Sequence, residues 1–149
     1  RQLPSRTVFV KDSELLAGID PEERNFFERM LVLQDKRRWE RFKQDILPGM
    51  RSKDAAFNDR LMIEGYAFSF DVDLIKPFEK PSLVFAGRQD ASVGYKDALN
   101  IIDNYPRGTF AILDRAGHGL EVEQECVFNC LVFEWLDRVE ECRAHNNKP

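Results

Sequence analysis

The sequence predicts an α/β fold in which parallel strands are flanked by helices. Residues 82–86 form a continuous apolar run that ends at Gly87, as expected for a strand buried on both faces. Residues 109–113 form a second such run, and a helical stretch over residues 95–102 separates the two. A long final helix follows. This β-α-β-α order is typical of doubly wound sheets.

The first half of the chain has helical periodicity, and no run suggests a strand between Asp12 and Tyr66. Asp20 is the predicted N-cap of a helix, with Pro21 in its first turn and Glu23 completing a capping box. We predict one helix from there to Ile46, stopped by the Pro-Gly pair that follows. Its basic residues are interpreted as a solvated face: Lys36, Arg37, Arg38 and Arg41. The chain is therefore divided into a mainly helical segment, residues 1–76, and a β-α-β-α portion, residues 77–149.

Composition excludes several classes of function. A formal net charge of −4 and a pI near 5.3 argue against binding to nucleic acid or to an anionic membrane surface. No run reaches the roughly 20 apolar residues of a membrane span, and no signal-peptide pattern begins the chain, so we expect a soluble cytoplasmic protein.

Cys126, Cys130 and Cys142 fall in one predicted helix, where core packing is favoured over metal binding. No metal or cofactor is expected.

Two strands are too few for a stable open parallel sheet, because their faces and edges need neighbours. The remaining strands are expected from another chain or from a missing N-terminal half of the protein. Alternatively, two copies pair through the exposed sheet edge.

Candidate chemistry lies in the loops after the two strands, where open α/β sheets collect their functional groups. Asp90 follows the first strand and His118 follows the second. A carboxylate there can hold the imidazole in one tautomer while the other ring nitrogen accepts a proton from a nucleophile. Gly117 and Gly119 are expected to allow a sharp turn and to leave room for substrate. The alternative is that Asp90 caps the next helix and the histidine is an ordinary loop residue.

The residues from Phe78 to Asp90 resemble the penultimate strand and acid loop of the α/β-hydrolase family, in which Pro precedes the strand and Gly-x-x-Asp follows it. Residues 113–118, with Glu123 after them, resemble that family's last strand and histidine loop. The resemblance implies that Asp90 is the acid and His118 the base of a catalytic triad. It also implies that the helical segment is a cap or lid inserted ahead of the acid strand.

The family order is nucleophile, acid, histidine, and this sequence contains only the last two. Gly-x-Ser-x-Gly occurs nowhere in the chain. Ser92 lies in the acid loop, Ser69 is not at a strand-to-helix elbow, and the other serines are less well placed: Ser5, Ser13, Ser52 and Ser82. The loop that would form the oxyanion hole is absent as well.

We therefore expect the C-terminal portion of a hydrolase acting on an ester, amide or similar acyl bond, inactive alone and prone to self-association. Its partner would be a small-molecule substrate with an acyl bond. Five aromatic residues are expected to supply an apolar lid and pocket, although each is individually more typical of core: Phe26, Phe27, Trp39, Phe57 and Tyr66. The alternative is a noncatalytic interaction module on a hydrolase-derived scaffold.

Overall fold

A computed structural model of the chain describes residues 2–65 and 76–146. The helical segment contains five helices and two short strands within the described residues: β1 (Val10–Lys11), α1 (Ser13–Ala17), α2 (Pro21–Met30), β2 (Leu33–Gln34), α3 (Lys36–Asp45), α4 (Leu47–Arg51) and α5 (Ala55–Glu64). None of the helices in the described ranges is long and apolar enough to cross a membrane. Tyr66 and Ser69 lie outside the described residues.

Helix α2 begins where the sequence predicts it. The side chain of Asp20 accepts hydrogen bonds from the backbone N–H groups of Glu22 and Glu23, and Pro21 occupies the first turn, where a missing N–H group costs nothing. The Glu23 carboxylate forms an ion pair with Arg51 of α4. The first turn of α2 is thereby joined to the last residue of α4.

The prediction of one helix to Ile46 is wrong, because the chain leaves helical geometry after Met30. Strand β2 interrupts it and pairs in parallel with β1, with Val10 opposite Leu33. Asp35 then caps α3 by accepting from the N–H of Arg38. A second correction concerns Pro48 and Gly49, which lie inside α4 and do not end a helix, since a proline in a first turn is tolerated.

Three aromatic rings form the centre of the helical segment. The Phe27 ring makes edge contacts with Trp39 and Phe42, each at a centroid distance of 5.3 Å, while Trp39 and Phe42 stack at 5.9 Å. All three are buried, so Phe27 and Trp39 are core residues and do not line a pocket. Of the other expected lid residues, Phe26 is half-buried and Phe57 is exposed. The rest of the cluster is aliphatic: Leu16, Ile19, Leu31, Leu47 and Val122.

The second portion contains β3 (Ser82–Gly87), α6 (Lys96–Asn100), β4 (Gly108–Leu113), α7 (Leu120–Glu123) and α8 (Glu125–Asn146). Strands β3 and β4 are parallel, and their pairs run from Ser82 opposite Gly108 to Gly87 opposite Leu113. Both match the predicted strands to within one residue. The helical stretch between them is shorter than predicted: α6 is followed by a 3₁₀ turn over Ile102–Asn104.

Helix α8 is held against the beginnings of both strands. Trp135 Nε1 donates to the Pro81 carbonyl oxygen at 3.0 Å, and Arg138 donates to the carbonyl of Arg107 at 3.0 Å and to Thr109 Oγ1 at 2.8 Å. These contacts leave the opposite side of the helix uncovered. Phe133 and Leu136 are exposed there, and Val127 is exposed near the start of the helix.

The three cysteines all lie in α8, as predicted, but the prediction that they pack in the core is wrong. Cys126 and Cys130 are exposed and Cys142 is half-buried. Cys126 and Cys130 lie on the side of α8 that faces away from the Pro81 and Thr109 contacts. Cys142 lies on the side that faces these contacts and is partly covered there.

Candidate functional site

The loops after β3 and β4 lie side by side, because the carboxyl ends of paired parallel strands meet at one sheet edge. The N–H of Arg88 donates to the Leu113 carbonyl at 2.8 Å, and that of Gln89 donates to the Ala116 carbonyl at 2.9 Å. We call these the acid loop, residues 88–94, and the histidine loop, residues 114–119. Backbone hydrogen bonds therefore hold the two loops in a fixed relative position.

The buried side chain of Gln89 adds a third segment to this arrangement. Its Oε1 accepts from the backbone N–H of Thr7 at 2.9 Å, and its Nε2 donates to the Asp114 carbonyl at 3.3 Å. A buried amide that uses both ends in this way fixes the segments it joins. The N-terminal segment is thereby attached to both loops.

Gly87 ends β3 directly beneath the histidine loop. A Cβ atom there would lie 2.2 Å from the Gly117 carbonyl oxygen and 2.5 Å from that of Ala116. Such distances are far inside van der Waals contact, and both obstacles are backbone atoms that cannot rotate away. Glycine at this position therefore permits the close approach of the two loops.

Asp90 uses its two carboxylate oxygens differently. Oδ2 lies 3.0 Å from Nδ1 of His118, while Oδ1 accepts from the N–H groups of Ser92 at 2.7 Å and Val93 at 3.1 Å. The residue is 5% exposed, so water does not compete for these bonds. Asp90 thus closes its own turn and holds the imidazole, but it does not cap the next helix, because the N-cap of α6 is Tyr95.

His118 is fixed at its backbone and open at its ring. Its N–H donates to the Met30 carbonyl at 2.8 Å, and its side chain is 40% exposed. With Nδ1 bound to Asp90, Nε2 is the nitrogen left to face an incoming group. A carboxylate that holds one nitrogen and leaves the other accessible is the arrangement that general-base chemistry requires.

The neighbouring carboxylates occupy other positions. Asp114 is exposed at the base of the histidine loop, and its backbone carbonyl accepts from Gln89. Glu121 is half-buried in α7. Neither takes the place of Asp90 at Nδ1 of His118.

The glycines beside the histidine differ from expectation. Neither Gly117 nor Gly119 has a positive φ, so no left-handed turn is made there. A Cβ atom at Gly117 would instead lie 2.4 Å from the Met30 carbonyl oxygen, and one at Gly119 would lie 3.1 Å from Leu31. Both glycines permit close contact with the end of α2.

Glu123 is a buried residue of the site to which sequence reasoning assigned no role. It is 2% exposed; Oε1 accepts from the N–H groups of Val32 at 2.5 Å and Leu33 at 2.9 Å, and Oε2 accepts from that of Gly117 at 2.5 Å. Burial raises the pKa of Glu123 to about 7, although these donors and the nearby Arg6 lower it. In the sequence it is one of three alternating glutamates, Glu121, Glu123 and Glu125, and no pattern distinguishes it from the other two.

In the described ranges 2–65 and 76–146, no three His, Cys, Asp or Glu side chains lie close enough together to hold a metal ion. Ser92 remains in the acid loop next to Asp90, and its backbone takes part in the turn there.

Comparison with known proteins gives one structural relationship. The chain superimposes on the crystal structure of an alpha/beta superfamily hydrolase from Oenococcus oeni PSU-1 with a TM-score of 0.75 and 25% sequence identity, over 94% of this chain. It spans 52% of the length of that structure. No protein-family model matches the chain, and a search of curated proteins finds no match.

Proposed function

Because the chain has the α/β-hydrolase fold expected of that family's C-terminal part, we propose that it supplies the acid and the base of a hydrolytic triad, Asp90 and His118. The reaction is cleavage of an ester, amide or similar acyl bond in a small molecule. The nucleophile then comes from polypeptide outside these 149 residues, and the chain alone is inactive. The proposal includes a cap role for the helical segment and a cytoplasmic location.

The observation that carries this proposal is the 3.0 Å contact between Asp90 Oδ2 and His118 Nδ1. The carboxylate is buried and fixed by two backbone donors, whereas the imidazole is partly open. Asp90 holds Nδ1 of the imidazole, which leaves Nε2 to accept a proton.

In the proposed mechanism, Asp90 keeps the proton of His118 on Nδ1, so Nε2 carries the lone pair. Nε2 accepts the proton of a nucleophilic hydroxyl as that oxygen attacks the acyl carbon. The imidazolium that forms is stabilised by the Asp90 carboxylate. Nε2 then returns the proton to the departing alcohol or amine, and a water molecule repeats the sequence to release the acid.

A second candidate is a noncatalytic module that pairs with itself or with another chain. The observation in its favour is the uncovered apolar side of α8, where Phe133 is 64% exposed and Leu136 is 42% exposed. In the hydrolase proposal the same surface is covered by the remainder of the core. The two candidates differ in whether the complete gene product has a reactive nucleophile.

The test is His118→Ala in the complete gene product, with His145→Ala as the matched control. His145 is the other histidine of the chain and lies exposed near the end of α8. We expect His118→Ala to lower hydrolysis of short nitrophenyl esters by about three to four orders of magnitude and His145→Ala to have no effect. Equal activity of the two variants would refute the hydrolytic role of His118.

A further inference from the structure

Glu123 joins two parts of the chain that are distant in sequence. One carboxylate oxygen is bound to β2 through Val32 and Leu33, and the other is bound to the histidine loop through Gly117. The residue that follows Gly117 is His118, so this loop contact is one peptide unit from the candidate base. Glu123 therefore stands between the helical segment and the histidine.

The backbone of the histidine loop is also bound directly to the end of α2, in addition to its contact with Glu123. The Met30 carbonyl accepts from the N–H of His118 at 2.8 Å and from that of Gly119 at 3.4 Å. The end of α2 thus supplies an acceptor to the histidine loop, while Glu123 supplies acceptors to both the loop and β2. These contacts, and the packing of Gly117 on Met30, leave little freedom for the loop backbone.

From these contacts we propose that Glu123 is a positioning residue for His118, which fixes the histidine loop to the helical segment through two separate carboxylate oxygens. Both oxygens are required, because three N–H donors approach from opposite sides. A glutamine has the same shape but only one acceptor oxygen, and its NH₂ group would face a backbone donor. The substitution must therefore break the contact on one side.

The charges around Glu123 favour this arrangement. Arg6 lies on the N-terminal side, where its guanidinium donates to the carbonyl oxygens of Glu28 and Leu31, and its positive charge acts on the Glu123 carboxylate. Arg38 of α3 donates to the Glu123 backbone carbonyl at 3.3 Å. Glu28 is the other carboxylate near Arg6.

This positioning role extends the proposed function. Its effect on catalysis depends on the proposal that His118 is the base of a triad. A histidine loop released on one side would still bind substrate, because Glu123 lies behind the loop and Nε2 faces outward. The imidazole would, however, sample positions outside hydrogen-bond reach of the nucleophile, which lowers turnover. Loss of Glu123 is therefore expected to lower kcat and to leave KM nearly unchanged.

The experiment compares Glu123→Gln with Glu125→Gln. Glu125 lies at the surface and also contacts the helical segment, through Arg37 and Arg41, but it does not contact the histidine loop. In the 149-residue chain, we expect Glu123→Gln to speed amide hydrogen exchange at least tenfold at Gly117 or at the Val32–Leu33 pair. The control should leave these amides as protected as in the wild type.

A second measurement covers the case in which Glu123→Gln does not fold. In the wild-type chain, the amide resonances of Gly117, Val32 and Leu33 should titrate with one shared inflection near pH 7, because one carboxylate binds all three. Separate inflections, or none, would overturn the inference. So would unchanged amide protection in a folded Glu123→Gln variant.

In the complete gene product, the same variant should lower kcat about tenfold to a hundredfold while KM stays within about twofold. If the complete protein hydrolyses no ester, the proposed function fails and the amide measurements still decide the positioning role. If it hydrolyses esters and Glu123→Gln keeps the wild-type kcat, the positioning role is refuted and the triad proposal stands.

Discussion

The backbone N–H of His118 donates to the carbonyl oxygen of Met30, the last residue of α2, at 2.8 Å. The ring of the same histidine is bound to Asp90, in the loop after β3. One residue is thus held at its main chain by the helical segment and at its side chain by the sheet. A structural change in either the helical segment or the sheet is therefore expected to shift the position of the imidazole.

Asp90→Asn in the complete gene product should lower turnover by about three to four orders of magnitude, because the amide favours the wrong tautomer of His118. Binding of substrate should change little, since Asp90 is buried behind the ring. Folding should be nearly intact because the amide oxygen can still accept from Ser92 and Val93. Steady-state kinetics and thermal melts measure these effects.

Asp114→Asn is the control for that experiment, and its turnover should stay near the wild-type value. Asp114 is exposed and only its backbone carbonyl takes part in the site. Should Asp114→Asn abolish turnover without unfolding the protein while Asp90→Asn does not, the acid has been assigned to the wrong loop.

Gly87→Ala should destabilise the chain by about 1–3 kcal/mol or more, because the new methyl group meets the backbone of the histidine loop. The matched control is Gly49→Ala, where a Cβ atom has nothing within 4 Å and alanine favours helix α4 by about 0.5–1 kcal/mol. Denaturant unfolding measures both. Equal stability of the two variants would contradict the close approach at Gly87.

The pH dependence of stability should carry a contribution from Glu123. Burial raises the pKa of this residue from its ordinary 4.5 to about 7 in the folded chain. The stability it contributes is therefore fully present below pH 4.5 and is lost as the pH rises through about 7. The change amounts to at most about 3.5 kcal/mol, because the pKa differs by about 2.5 units between the folded and unfolded chains and one unit is about 1.4 kcal/mol.

Chemical denaturation between pH 4 and pH 8 measures this contribution, and Glu123→Gln should flatten the profile over that interval. Glu125→Gln provides the comparison. If the wild-type profile and the Glu123→Gln profile have the same slope between these pH values, the ionisation of Glu123 does not differ between the folded and unfolded chains.

The 149-residue chain should hydrolyse no small chromogenic ester, because a base is of no use without a nucleophile to deprotonate. A fluorophosphonate should leave its serines unlabelled. Burst kinetics together with labelling of Ser92 or Ser69 would show that the chain contains a nucleophile of its own.

The isolated chain should be a dimer or larger. The residues of β3 and β4 are mostly half-buried, and α8 carries exposed apolar side chains such as Phe133. Burying these surfaces between copies is favourable when the rest of a core is absent. Sedimentation equilibrium at micromolar concentration tests this, and a well-folded monomer would contradict it.

The sequence predicted β3 and β4 well, because a run such as residues 83–86 is apolar and ends at a glycine, whereas the two-residue strands β1 and β2 were too short to be predicted. The loop positions of Asp90 and His118 followed from the strands. The break between α2 and α3 was not predictable, since the apolar spacing continues across it. At the break, the N–H groups of Val32 and Leu33 donate to Glu123, which is distant in sequence, and Leu33 lies in β2 paired with β1.

The contact between Trp135 and Pro81 has a practical consequence for spectroscopy. The chain has two tryptophans. Trp39 stacks in the aromatic cluster of the helical segment, and Trp135 of α8 donates a hydrogen bond to the residue before β3. Each part of the molecule therefore contains one tryptophan. Single-tryptophan variants made with phenylalanine would report separately on the emission of each part during denaturation, and coincident transitions would identify the chain as one cooperative unit.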